Sequence, residues 1–451
     1  MTAQNSFATK FSQIRDGATS AHAHDLLCHG MHERRVEREI LTRSKHSHFA
    51  RRQLLMGFLA AATAVVSRAA ASAQASRQSF EEWVAAFRGR AQGRGVSDTT
   101  YTWVMSDIKP DTSVFALDRS QPEFKEEVWQ YLNRRVSDWR ITTGKEKAKE
   151  FAPLLSRIEK DFGVERSVML GLWGIESAYG DPDVQKNHMR PVTPALAALA
   201  WGEPRRRPYW EQELLNALVI IERGWSTPGE MRGSWAGAMG HTQWMPEVWL
   251  HMGLDYDGDG RVSPFGKPDD ALAGTAQYLV KRGNYRAGEH WGYEVRGARG
   301  GEGTSRTYEA WQRAGVVRAD GQPFPHPNSK AKLWVPVPGG PGFLLGQNFY
   351  AVRSYNPSMN YTLSILHLGD RVMGARTFVQ PFPGAERTPT LAEVQEIQKR
   401  LTALGFDTGG TDGRVGNDTM RAVREFQRKV GMEPADGYAG VKLLARLREQ
   451  G

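Results

Sequence analysis

Apolar residues recur at helical spacing through much of the chain. In EVWQYLNRRVSDW, residues 127–139, Val128, Tyr131, Leu132, Val136 and Trp139 recur at that spacing, with arginines between them. The stretch from Phe80 to Lys160 reads as a series of such amphipathic helices. A second helical pattern closes the chain, where Leu391, Val394, Ile397, Leu401 and Leu404 form one stripe with Gly405 as its stop. After an Asp412-Gly413 turn, Asn417 is placed to cap a helix bearing Met420, Val423, Phe426 and Val430. A third helix carries Leu443, Leu444 and Leu447. This predicts a small three-helix domain over residues 391–451. Between the two helical regions the pattern changes. From Val295 to Pro341 the chain is rich in Gly, Pro and Arg, which predicts long loops, and Phe349–Arg353 and Tyr361–Leu366 read as short β-like runs. Residues 379–390, VQPFPGAERTPT, carry three prolines and a glycine and read as a linker. The main body is then residues 76–378.

One apolar run has no helical period. LLMGFLAAATAVV, residues 54–66, follows Arg51-Arg52 and precedes ASAQA. It is too short to cross about 30 Å of hydrocarbon as a helix. A basic start, a short apolar run and small residues at a cleavage point make a signal peptide, with cleavage after Ala73 or Ala75. The paired arginines followed by Gln53-Leu54-Leu55 loosely resemble a twin-arginine signal. Residues 1–75 are therefore read as a leader, with Met31 as an alternative start. The exported product is expected to be soluble and periplasmic, with no stable membrane anchor. Cys28 precedes the apolar run, so it cannot bear a lipid at a mature N-terminus.

The leader changes the meaning of the composition. The 451 residues, enough for up to three domains, carry a net charge of +9 and a single cysteine. Ten Lys and Arg against five Asp and Glu lie in residues 1–75, leaving 49 against 45 in the rest. The body is thus nearly balanced and free of thiol, so nucleic acid is not a favoured partner. No disulfide framework or zinc cluster can be built.

Two segments carry candidate chemistry. In VMLGLWGIESAYG, residues 168–180, Glu176 is the only ionisable acid, set among Leu170, Leu172, Trp173 and Ile175. Desolvation in such surroundings raises a carboxyl pKa, which suits a general acid near neutrality; a glutamate facing solvent or pairing with an arginine is the alternative. GSWAGAMGHTQWMPEVW, residues 233–249, places Ser234, Thr242 and Gln243 beside Trp235 and Trp244. Neutral polar groups next to aromatic planes suit an uncharged sugar, and the small residues from Ala236 to Gly240 let backbone approach a ligand. There is no Walker-type phosphate loop and no G-x-S-x-G elbow.

Together with these, DYDGDGRVSPF, DALAGTAQYL and NFYAVRSYNPSMNYTLSILHLGDRV give the chain from about Phe80 to Gly374 a resemblance to the soluble lytic murein transglycosylases of the B type. The C-terminal TDGRVGNDTMRAVREFQ resembles a peptidoglycan-binding domain. The resemblance implies an α+β, predominantly helical fold, with a lysozyme-like core wrapped by a helical domain. It implies cleavage of the β-1,4 bond between N-acetylmuramic acid and N-acetylglucosamine in peptidoglycan glycan strands, leaving 1,6-anhydromuramoyl ends. Glu176 matches the family's single catalytic glutamate, acting first as acid and then as base. Ser234 and Gln243 match residues that hydrogen-bond the sugar, and Tyr278 matches one that lines the cleft. Tyr355 and Asn356 would orient substrate, with Tyr361 stacking or hydrogen-bonding nearby. A muramidase that uses water and a non-catalytic wall-binding scaffold are the alternatives.

No cofactor is required by this reading, and calcium is the one candidate ion. Asp255, Asp257 and Asp259 with Gly260 begin like an EF-hand, and Arg261 would offer its carbonyl. Ser263 stands at the ninth position and Gly266 at the twelfth, where a bidentate acid is expected. The loop is a degenerate version of the pattern.

Overall fold

The computed structural model describes residues 78–119, 126–183, 189–298 and 300–450. The predicted leader, residues 1–75, lies outside them. Seventeen helices and seven strands occur among the described residues, an α+β and predominantly helical architecture as expected. No described helix is long and apolar enough to cross a membrane.

The first helices follow from their caps and stripes. In α1 (Phe80–Gln92) Ser79 and Glu82 form a capping box, and Phe80, Trp83, Phe87 and Ala91 are buried along one face. Ser97 caps α2 (Asp98–Met105), and the short α3 (Val114–Arg119) follows. The helical stripe of residues 127–139 divides in two, α4 (Val128–Arg135) and α5 (Asp138–Glu150), because Val136 leaves helical geometry between them. Next come α6 (Ala152–Phe162), ended by left-handed Gly163, and α7 (Arg166–Ser177). Beyond strand β1 (Arg190–Pro191), α8 (Val192–Gly202) and α9 (Arg207–Glu222) form a hairpin buried on nearly all sides. Strand β2 (Arg232–Gly233) pairs with β1, and α10 (Pro246–Met252) and α11 (Asp269–Lys281) complete the middle of the body.

The region predicted as loops holds most of the sheet. β3 (Gly292–Arg296) runs into it, β4 (Ser305–Thr307), α12 (Tyr308–Arg313), β5 (Val317–Arg318) and β6 (Lys330–Trp334) lie within it, and β7 (Gly342–Leu345) follows it. The strands form one antiparallel sheet in the order β4-β6-β7-β3-β5. Strands this short, separated by glycine turns, leave too few residues for an alternating pattern to show. The two runs read as β-like are helical instead: α13 (Gln347–Arg353) and α14 (Met359–Val372). Every residue from Tyr361 to Gly369 is buried. Apolar positions on all sides of a buried helix look like those of a buried strand, and only length separates them.

Two large cores divide the body. One gathers α6, α7, α11, α13 and α14, and the other gathers α1, α2 and α8 to α10. Residues 379–390 contain neither helix nor strand, yet Phe382 is buried and the Glu294 carboxylate accepts the amides of Val379 and Gln380, each at 2.7 Å. The C-terminal domain comprises α15 (Leu391–Ala403), α16 (Asn417–Lys429) and α17 (Val441–Arg448) around Ile397, Leu401, Val423, Phe426, Leu443, Leu444 and Leu447. Thr390 caps α15 with a capping box, and Gly416 rather than Asn417 is the residue ahead of α16.

Candidate active site

Helices α7 and α14 cross with their backbones in contact. A methyl group on Gly171 would overlap the carbonyl of Ile365, and one on Gly369 would overlap that of Ser167. Only glycine permits this approach. The crossing brings the last turn of α7 against the first turn of α14, whose N-terminus is capped by Ser358. From Val168 to Tyr179 every residue is buried except Glu176, which is half-buried. The Tyr361 hydroxyl donates a hydrogen bond to Glu176 Oε1.

Immediately after Glu176 and Ser177 the chain makes a turn in which Ala178, Tyr179 and Gly180 all have positive φ, at 53°, 63° and 77°. Two of these are not glycine, a conformation that costs about 1–3 kcal/mol per residue unless its surroundings impose it. Those surroundings are visible. Ser177 Oγ donates to the His241 carbonyl at 2.6 Å and accepts from the Gly180 amide at 2.9 Å. The Tyr179 hydroxyl donates to the Arg140 carbonyl at 3.0 Å. Trp173 Nε1 donates to His241 Nδ1 at 3.1 Å, so the ring proton is assigned to Nε2, which meets the Gly266 carbonyl at 2.8 Å. Burial holds the His241 pKa below its usual value, in keeping with a neutral ring.

The second predicted segment folds into a tight hairpin. The Ser234 amide donates to the Ala238 carbonyl at 2.8 Å, and Met239 and Trp244 bridge each other. Gln243 is held at φ 55° with its side-chain amide on the Gly240 carbonyl at 2.9 Å. Thr242 joins the hairpin to the rest of the site. Its carbonyl accepts the Tyr355 hydroxyl at 2.6 Å, and its hydroxyl accepts that of Thr275 at 2.9 Å. Burial pushes the Tyr355 phenol well up, and the negative charge of Glu176 adds to it, so Tyr355 stays neutral. Tyr278 meets Tyr355 edge to face at 5.2 Å and donates to the Ser354 carbonyl at 2.9 Å.

The structure thus joins Tyr361 to Glu176 directly, Tyr355 to it through charge, and Tyr278 to Tyr355. Ser234 and Asn356 make local bonds: Ser234 Oγ accepts the Ala238 amide at 3.1 Å, and Asn356 Oδ1 accepts the Ser358 amide at 3.1 Å. Sequence reasoning missed His241, Thr242 as a carbonyl acceptor, and Thr275. His241 lies inside the quoted segment, where a lone histidine among small residues was the available signal. The role of a carbonyl leaves no trace in residue identity.

In the acidic loop the carboxylates of Asp255, Asp257 and Asp259 each place an oxygen within 4.8 Å of the others. They accept the amides of Gly258, Gly260, Asp259 and Arg261, and Lys267 Nζ lies 3.1 Å from Asp257 Oδ2. The buried Asp270 carboxylate serves backbone, accepting the Tyr256 and Ser263 amides at 2.7 and 2.9 Å. Three converging carboxylates suit a calcium ion but supply only part of its six to eight oxygens.

Residues 79–370 match the transglycosylase SLT domain family. The chain belongs to that family. Residues 390–447 match a peptidoglycan binding domain. The transglycosylase is 27% identical over 277 residues to the membrane-bound lytic murein transglycosylase B of Escherichia coli, covering 60% of this chain and 74% of that protein. Among solved structures, SltB3 of Pseudomonas aeruginosa in complex with NAG-anhNAM-pentapeptide matches with 37% identity and a TM-score of 0.64, over 82% of this chain and 100% of that one. The lytic transglycosylase Slt35 of Escherichia coli, solved with calcium, shares the fold at 24% identity, with a TM-score of 0.56, over 66% of this chain and 94% of that one. These neighbours agree with the lysozyme-like architecture implied by the resemblance.

Proposed function

We propose that this transglycosylase cleaves the β-1,4 bond between N-acetylmuramic acid and N-acetylglucosamine and leaves 1,6-anhydromuramoyl ends, with Glu176 as its one acid and base. The observation that carries the reading is the Glu176 carboxylate, the single opening in an otherwise buried helix end, fixed by the Tyr361 hydroxyl. Glu176 protonates the glycosidic oxygen as the bond to the muramoyl C1 breaks. The resulting carboxylate then takes the proton of the C6 hydroxyl as that oxygen closes on C1, so no water is added. Glycosidases that use water or a covalent intermediate need a second carboxylate about 5–9.5 Å away. The nearest acid along the chain, Asp181, is instead paired with Arg414 at 2.8 Å. Tyr361 holds Glu176 Oε1, Tyr355 supplies a neutral hydroxyl beside it, and Tyr278 lines the cleft. Ser234, Gln243 and Asn356 are assigned to sugar binding by their match to the family's motifs.

The signal-like leader supports export to the periplasm, and the two matched domains support peptidoglycan as the partner. The loop of Asp255, Asp257, Asp259 and the Arg261 carbonyl would hold calcium as a structural ion, bracing the chain between α10 and α11. Digesting purified wall with the protein and weighing the products tests the mechanism. Anhydro ends are expected, absent with Glu176→Gln. Reducing ends would assign the water-using muramidase reaction, and wall release unaffected by Glu176→Gln would assign a scaffold.

A further inference from the structure

The C-terminal domain meets the body through two turns built alike. In the first, buried Gln398 donates to Asp412 Oδ1 at 3.0 Å and to the Arg414 carbonyl at 3.1 Å, and accepts the Gly413 amide at 2.7 Å. In the second, buried Gln427 donates to Asp436 Oδ1 at 3.0 Å and accepts the Gly437 amide at 2.8 Å. Each glutamine is anchored in the bundle, so each Asp-Gly turn presents its next residues at a set angle. The second turn docks on α4: Gln130 donates to Asp436 Oδ2 at 2.6 Å and Asn133 to the Tyr438 hydroxyl at 2.8 Å. Asp138, at the start of α5, accepts the Leu391 amide at 3.0 Å. The domain is held against the body at several separate points.

The first turn reaches the catalytic region. Arg414 pairs with Asp181 at 2.8 Å and lies over the Trp139 ring at 4.9 Å, while Arg140 lies over the same ring at 4.4 Å. Asp181 ends the left-handed turn that begins two residues after Glu176. Arg140 supplies the carbonyl that holds Tyr179 in that turn. The C-terminal domain therefore contacts the strained turn at its far end and, through Trp139, the residue that holds its middle. Residues in sparsely populated conformations persist when neighbours over-determine them, and one of those neighbours belongs to the wall-binding domain.

We propose that Arg414 is a positioning residue for the reaction, through which the peptidoglycan-binding domain fixes the turn after Glu176 and so aligns the carboxylate. This rests on the reading of Glu176 as the catalytic acid and base. It makes the domain part of the catalytic apparatus as well as an anchor to the wall. The test is Arg414→Met in the full-length protein, which keeps an unbranched side chain but removes the guanidinium from Asp181 and from the Trp139 ring, beside Arg414→Lys, which keeps the charge. Turnover is measured on short soluble glycan fragments and retention is measured separately on insoluble wall. The expected result for Arg414→Met is a kcat about three- to tenfold lower, with KM, wall retention and melting temperature unchanged and kcat largely restored in Arg414→Lys. An unchanged kcat, a loss confined to wall retention, a loss accompanied by a lowered melting temperature, or a loss that Lys does not restore would each overturn it. Wild-type protein that yields no anhydro ends would sink the proposed mechanism itself, and that result is read before any variant.

Discussion

Two glutamates on apolar helices, Glu176 and Glu213, divide the roles a buried acid can take. Glu213 on α9 is 3% exposed, and its carboxylate accepts the Glu247 amide at 2.9 Å at the start of α10. Burial pushes its pKa up to about 7, with the charge of Glu247 adding to the effect and that same amide opposing it. By desolvation alone Glu213 would be an excellent general acid. It is closed off from solvent, and its carboxylate ties α9 to the start of α10 through the Glu247 amide. Glu176 is less buried, lies at a helix end, and meets the hydroxyl of Tyr361 from another helix. Burial tunes an acid, but access and a positioned donor give it a reaction.

Substitutions at the two sites separate these roles most sharply. Glu176→Gln should lower wall solubilisation by about a thousandfold or more, the loss expected when the single acid and base is removed. Glu213→Gln should leave the rate within about threefold. Equal losses would erase the distinction. Tyr361→Phe should cost about ten- to a hundredfold in kcat, the range for losing a hydrogen bond to a charged group, with the fold intact by circular dichroism.

The stability effect runs the other way. Glu213 has a folded pKa of about 7 against an ordinary 4.5. Its contribution is full below the unfolded value and is lost as pH rises through the folded one, roughly 3 kcal/mol in all. Wild-type protein should therefore lose stability between pH 4.5 and 7, and Glu213→Gln should lessen that loss. Urea unfolding at pH 5 and pH 8 measures it, and parallel losses in the two proteins would refute it. The smallest effect is expected at the acids of the 255–259 loop. Calcium at tenfold excess over its dissociation constant should add about 1.4 kcal/mol, seen as a small rise in melting temperature that Asp259→Asn abolishes. A large rise would mean that more ligands converge there than the three carboxylates.

Much of this site is legible in the chain, and the missing parts share a cause. Glu176 stands out because a lone acid in GLWGIES contradicts its surroundings, and the hairpin stands out for its small and aromatic residues. The helical stripes of α1, α4 and α15 to α17 show because one face of each meets solvent. Helices α13 and α14 do not show, since burial on every side removes the period, and β3 to β7 are too short to display one. Tyr361 is found by resemblance, but its bond to Glu176 depends on Gly171 and Gly369 meeting across two helices 185 residues apart at the site.

The sequence by itself determined which carboxylate is out of place, the caps and stripes of the exposed helices, and the two matched regions of the chain. Those are local facts, written in neighbouring residues and in spacing. Only the tertiary structure decided that the Tyr361 hydroxyl meets Glu176, and that Glu213 accepts an amide at a helix start. It alone placed Arg414 of the C-terminal domain beside the turn after α7. Each of these is a meeting of distant segments, set by close packing and by which buried polar groups find partners, and no local pattern records it.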